Sequence, residues 1–510
     1  MQMNWLIALG CLSMFFSAAL ADVSVHPLFG DHMVIQQEST VPVWGWAKPG
    51  ETVTVTFEGQ TVHGKAGEDG RWEARLAPLK PARGVEMTIS GSSTIVIKDV
   101  MVGEVWLCSG QSNMQQPMTW AFDGVEELKK ANEPEIRYFT VGAAVAAAPQ
   151  ARCSGKWVVC DPETAKVLSA VAYHMGRELH TARNVPVGLI VSAWGGTPAQ
   201  AWCDPASFDG QPSLAGFKKE FDTARTRAVE AIENYAAAVA TWRKYSVPAA
   251  EKGMPIGVPP VQPVFSPRES GQLFCGMIAP LVPVAIRGVA WYQGESNALV
   301  SADYATLFTT LIKGWRARWG RDDLPFLFVQ IANFNAPANP RWALFRDEQR
   351  KALALPHTGM AVAIDVGETN LIDPRHKKPV GVRLALLARE KVYGEAIVGT
   401  GPALERMTIE GNKASLLFTS VGGGLVAKMK NGGEPVLAQF FIAGEDRVFL
   451  PARAVIDGAR VIVTSEKVPK PAAVRYAWSN SPDGCNLYNK EGLPAVPFRT
   501  DEWPVEEAKP

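Results

Sequence analysis

The stretch Glu104-Val-Trp-Leu-Cys108, followed at once by Ser109-Gly-Gln-Ser-Asn-Met114, decides how the chain reads. Four consecutive apolar positions after Glu104, with no polar alternation, describe a strand buried on both faces, the habit of parallel sheets. Four more runs have the same texture: 186–192 (PVGLIVS), 286–292 (IRGVAWY), 325–331 (PFLFVQI) and 360–365 (MAVAID). Helical stretches are predicted between them at about 165–183, 303–319, 342–354 and 379–393, and this alternation predicts a doubly wound parallel α/β sheet.

Outward from that centre the texture changes. From Asp22 to about Val100 it is short strands and turns: Val53, Val55 and Phe57 alternate with threonines, and Lys48-Pro-Gly50 and Glu68-Asp-Gly70 supply turn chemistry. From about residue 396 strand-and-turn texture returns, with Val461-Ile-Val463 and 474–478. The expected organisation is a β-sandwich-like module over 22–100, an α/β domain over 101–395 and a second β module over 396–510. Roughly 205–270 reads as an insertion, a long helical segment followed by a Pro-rich loop.

Residues 5–21, WLIALGCLSMFFSAALA, form an uncharged apolar run ending in an A-x-A pattern at Ala19-Leu-Ala21. The run is short for a membrane span, so we read residues 1–21 as a signal peptide cleaved after Ala21 and the protein as secreted or periplasmic. Cys11 after Gly10 offers a lipoprotein alternative, against which Ala8 counts. No later segment has the uncharged length of a membrane span.

Lys plus Arg is 51 and Asp plus Glu is 51. A chain with no net positive field is poorly suited to polyphosphate, which disfavours nucleic acid as a partner. Beyond Cys11, the six cysteines are irregularly spaced with no C-x-x-C, so no zinc or thioredoxin-type site is expected. Cys153 and Cys160 are close enough in sequence to close a small loop; buried free thiols are the reading for most of the others.

Ligands of open α/β sheets bind beyond the carboxyl ends of the strands. The segments following the predicted strands are Ser109–Met114, Ala193-Trp-Gly-Gly-Thr197, Gln293-Gly-Glu-Ser-Asn297 and Val366-Gly-Glu, with Asp373-Pro-Arg-His376 soon after. A serine, small residues, amides, carboxylates and a histidine thus fall on one edge, the set a serine esterase uses. Singly, each is commonplace. Ser112 is not in a G-x-S-x-G elbow.

The chain resembles the sialate O-acetylesterase family within the SGNH-type hydrolases. The resemblance rests on Leu28-Phe-Gly-Asp-His-Met-Val-Ile-Gln-Gln37, Val41-Pro-Val-Trp-Gly-Trp46, Gly103–Met114, Trp291-Tyr-Gln-Gly-Glu-Ser-Asn297, Asn486-Leu-Tyr-Asn489 and Pro497-Phe-Arg499. It implies an SGNH-like core flanked by β modules and release of acetate from O-acetylated sialic acids or related glycans, without metal or organic cofactor. Carried over by motif, Ser112 is the nucleophile. Its own N–H and those of Gly195 and Gly196 serve the oxyanion, Gln293 is an amide donor, Glu295 an orienting charge, and Asn113 fixes the loop. The chain departs from the family at its histidine block: Ile372-Asp-Pro374 stands where Ile-His-Pro is expected, ahead of an intact Val380-Gly-Val-Arg-Leu-Ala385. Two readings follow. Either Asp373 and His376 form a D-x-x-H pair with His376 as general base, the reading we favour, or the base is lost and the protein is a weak esterase or glycan-binding relative. An acetylxylan-type activity is a further alternative. For the carboxylate of an acidic sugar, Arg341, Arg346 and Arg375 lie in suitable segments.

Overall fold

In the computed structural model, the described residues are 22–298, 303–335, 341–428 and 436–504; the leader read over 1–21 lies outside them. The central sheet contains β1 (Thr94–Gly110), β2 (Glu133–Thr140), β3 (Trp157–Cys160), β4 (Val187–Ala193), β5 (Gly288–Tyr292), β6 (Phe326–Val329) and β7 (Thr358–Ala361), in the order β3-β2-β4-β1-β5-β6-β7. Every pairing on this path is parallel except the edge pair β3–β2.

The continuous apolar runs have a direct structural cause. Along β1, Val105 and Leu107 enter one core while Trp106 and Cys108 enter the other. Val289 and Trp291 alternate with Ala290 and Tyr292 in β5, and Phe326 and Phe328 with Leu327 and Val329 in β6. A strand whose side chains alternate between two buried faces has no polar side to show. Helices α1 (Ala170–Arg183) and α5 (Lys377–Lys391) cover one face and pack on each other; α3 (Tyr304–Trp319) covers the other. Ser169 caps α1 by accepting from the Ala172 N–H at 3.1 Å, and Asn184 ends it in the left-handed region.

Helix α2 (Ala215–Glu251), with Pro248 inside it, occupies the expected insertion and buries few of its residues. Helix α4 (Arg341–Arg350) precedes β7. Among the described residues no helix is long and apolar enough to cross a membrane.

Smaller sheets lie before and after this layer. A three-stranded antiparallel sheet joins Ser24–Val25, Val41–Trp46 and Arg71–Leu76. The strands Thr52–Phe57, Gln60–Lys65 and Ala82–Ser90 connect through Ala82–Ser90 to β1. β1 therefore runs without interruption through residue 100, where the sequence texture changes. Beyond α5 stand two four-stranded sheets, one of which is antiparallel over Ala403–Glu410, Lys413–Thr419, Arg460–Thr464 and Arg453–Asp457. Cys153 and Cys160 do not pair; none of the six described cysteines forms a disulfide, and four of them are buried.

Candidate active site

β1, β4 and β5 are parallel neighbours, so the segments following Gly110, Ala193 and Tyr292 meet at one edge. β1 ends on Gly110 with φ +137°, and a Cβ there would collide with the Tyr292 carbonyl. The Gln111 N–H donates to that same carbonyl at 3.0 Å. The chain then enters the single helical turn Ser112–Gln115, which presents Ser112 half-exposed beside Gly195. A Cβ on Gly195 would lie 3.3 Å from that of Ser112.

Ser112 Oγ donates to Asp373 Oδ1 at 2.7 Å. Asp373 is held on its other side, its Oδ2 facing the Gln116 amide at 3.4 Å and its backbone carbonyl accepting from Trp120 Nε1 at 3.2 Å. The loop carrying Asp373 is tied down by Glu368, which accepts from the Arg375 N–H at 2.8 Å and pairs with its guanidinium. Further back, Asp365 grips Arg383 through both carboxylate oxygens at 2.7 Å and accepts from the Tyr488 hydroxyl at 3.0 Å.

His376 is not brought to the nucleophile. Among the described residues no hydrogen bond joins it to Ser112 or Asp373; it stacks on Phe122 with ring centroids 4.6 Å apart and planes at 30°. Asp373 and His376, three apart near a helix start, could pair only by facing the same way. Pro374 follows Asp373, and helix α5 begins only at Lys377, so the segment is irregular and its side chains diverge.

Of the expected donors, the Gly195 N–H and the Gln293 amide are already engaged. The Gly195 N–H donates to Gln115 Oε1 at 2.7 Å, an exposed amide that a substrate oxygen would have to displace. The Gly196 carbonyl accepts from Arg268. Gln293 is fully buried: its amide nitrogen reaches Gln111 Oε1, the Thr197 carbonyl and Asn297 Oδ1, and its oxygen accepts from the Tyr304 hydroxyl at 2.9 Å. It braces two loops against each other and has no donor left for a ligand.

Beneath the serine lies a buried polar chain. Asn113 donates to Glu295 Oε1 at 2.6 Å and to the Ile372 carbonyl at 3.1 Å, and its side-chain oxygen accepts from Lys377 Nζ. Glu295 is 3% exposed and Lys377 1%. Burial raises the Glu295 carboxyl to about 7, with the Asp373 charge acting in the same direction. Burial lowers the Lys377 ammonium to about 8, against the attraction of Asp373, Glu295 and Glu368. Lys377 is not among the residues that the sequence reading singled out. The available signal was its spacing: Lys377, Val380, Leu384 and Leu387 share the buried face of α5.

Of the arginines considered for an acidic sugar, Arg346 is buried and bonds the Ser479 and Asn480 carbonyls, and Arg375 is paired with Glu368. Neither guanidinium is presented without a partner at the site.

A family model, "Carbohydrate esterase, sialic acid-specific acetylesterase", matches residues 102–241 and 271–384. The rat sialate O-acetylesterase is 30% identical, over 92% of each chain. The chain belongs to this family. The human sialate O-acetylesterase is 29% identical over 91% of this chain and 90% of its own. A crystal structure of a carbohydrate acetylesterase from Xanthomonas citri superposes with a TM-score of 0.80 at 36% identity, covering 94% of this chain and all of that one. As a member of the family, the chain is a carbohydrate esterase. Asp373, which the sequence reading set where the family's histidine is expected, carries the side chain bonded to Ser112.

Proposed function

We propose that the protein is an exported carbohydrate O-acetylesterase that releases acetate from O-acetylated sialic acids by acyl transfer through Ser112, on an SGNH-like core. The observation that carries the mechanism is the 2.7 Å hydrogen bond from Ser112 Oγ to Asp373. Here the carboxylate, not His376, takes the serine proton.

Ser112 Oγ attacks the acetyl carbonyl as its proton passes to Asp373. The oxyanion is received by the Ser112 and Gly195 N–H groups, the latter after Gln115 swings aside. Each such donor is worth on the order of 3 kcal/mol of transition-state stabilisation. The tetrahedral intermediate collapses, the sugar oxygen leaves with the proton from Asp373, and an acetyl-serine remains. Water then attacks that ester, giving one proton to Asp373, and the second collapse frees acetic acid, which ionises to acetate in solution, and returns the Asp373 proton to Ser112. Asn113, with Lys377 and Glu295 behind it, keeps the nucleophile's loop against the Asp373 loop.

The reading is tested by acetate release from O-acetylated sialic acids and from an aryl acetate, using wild type, Ser112→Ala and Asp373→Asn. Removal of a general base costs about two to four orders of magnitude. Both variants are expected to lose at least a hundredfold on both substrates. Full activity in Asp373→Asn overturns the carboxylate's role. Activity on the aryl acetate with none on sialates moves the substrate to another acetylated glycan, such as an acetylxylan.

A further inference from the structure

Phe122 is 67% exposed and Trp120 38%, on a chain segment that begins only three residues past the nucleophile's helical turn. Large aromatics left in water forgo about 2 kcal/mol or more of burial, so two of them exposed on one short segment call for a reason. Neither is on a loose tether. The Phe122 N–H donates to the Arg375 carbonyl at 2.9 Å, and Trp120 Nε1 donates to the carbonyl of Asp373 itself. His376 packs one face of the Phe122 ring. Ile372, 41% exposed, extends the apolar surface along the loop that carries Asp373. An apolar ledge thus starts at the residue that holds the nucleophile's hydroxyl and runs outward from it.

A ledge in that place has a restricted choice of occupants. Whatever delivers an acetyl ester to Ser112 must have its leaving group beside it, and in a carbohydrate esterase that group is a sugar. A pyranose ring has an apolar C–H face and polar edges, the same division of character as an aromatic ring lying on a wet surface. We propose that Trp120, Phe122 and His376 form an aromatic subsite on which the pyranose ring of the acetylated substrate stacks, with His376 buttressing Phe122 rather than accepting a proton. This rests on the reading of Ser112 as the nucleophile. Its consequence is that recognition of the sugar and activation of the serine are built on one loop: the backbone of 372–376 carries the base, and the same segment props the platform.

The test is steady-state kinetics of wild type, Ser112→Ala, Phe122→Ala, Phe122→Trp, Trp120→Ala and His376→Ala on an O-acetylated sugar and on an aryl acetate. The sugar used is whichever acetylated glycan the wild-type enzyme turns over. Phe122→Ala is expected to raise KM for the sugar at least tenfold with kcat within about threefold, and so to lower the sugar-to-aryl-acetate ratio of kcat/KM about tenfold. Phe122→Trp should restore most of it, and His376→Ala should follow Phe122→Ala with a smaller change. An unchanged ratio in Phe122→Ala and Trp120→Ala overturns the subsite. So does loss of kcat on both substrates in His376→Ala, because the histidine is then acting in the chemistry. Retention of aryl acetate turnover by Ser112→Ala would instead sink the nucleophile assignment.

Discussion

Replacing Glu295 by Gln isolates the buried charge pair behind the nucleophile. Glu295 moves from 4.5 to about 7 on folding, because burial penalises its anion. At 1.36 kcal/mol per unit this is about 3 kcal/mol. The folded state holds the proton more tightly than the unfolded chain. That stability is therefore fully present below pH 4.5 and is lost as pH rises through about 7. Lys377 contributes with the opposite sign: lowered from 10.5 to about 8, it adds stability present above 10.5 and lost as pH falls through 8. From these two groups the protein is least stable between about 7 and 8. Gln keeps the shape and the acceptor for Asn113 but cannot titrate, so the acid arm disappears from the variant's curve. The alkaline arm should also move. One amide separates the two charges, roughly 6 Å, which at an effective dielectric of about 20 is about 3 kcal/mol, or about 2 units. Without the Glu295 charge, Lys377 deprotonates at lower pH and the alkaline rise begins earlier. Urea denaturation of both proteins from about pH 4 to about 10 measures this directly. Parallel stability curves for wild type and Glu295→Gln would refute the reasoning, since Glu295 would then be titrating as an ordinary carboxyl group.

Three further outcomes are expected. Gly195→Ala puts a methyl 3.3 Å from the Ser112 Cβ and 3.2 Å from Gln115 Oε1; kcat on an aryl acetate should fall at least tenfold while thermal stability moves little, because the clash displaces the nucleophile and not the core. Arg383→Met strands Asp365, whose carboxyl is buried yet held below the usual range by that guanidinium. Unfolding free energy at neutral pH should drop by about 3–5 kcal/mol, and the deficit should shrink on acidification as Asp365 takes a proton. Burial pushes the thiols of Cys108, Cys160 and Cys275 to about 12 and raises that of Cys203 well above the usual thiol range. Native protein should leave these four unreactive towards a thiol reagent at mild pH and expose them on denaturation, with no reductant needed.

The runs at 104–108, 186–192, 286–292 and 325–331 were legible as strands because residues facing two cores must be apolar at every position. β2 and β3 were not. Pro134 interrupts the first, and the edge strand Trp157–Cys160 is too short for periodicity to register. The run at 360–365 was placed late: the strand is Thr358–Ala361, and the apolar residues after it are buried as loop.

At the site, sequence order alone sets the loops bearing Ser112, Gly195 and Glu295 at one edge, because each follows a parallel strand and parallel strands share their carboxyl ends. Which acidic or basic side chain then meets the serine is not a property of order. It turns on the course of six residues between Leu371 and His376, where Pro374 and the late start of α5 send Asp373 to Ser112 and His376 to Phe122. The coupling of Glu295 to Lys377 through Asn113 joins residues 82 positions apart, and its energetics come from the absence of water around them. Local pattern reports which face of an element is apolar. Desolvation and the direction of an irregular loop are set by everything packed around them, so only the tertiary structure decides them.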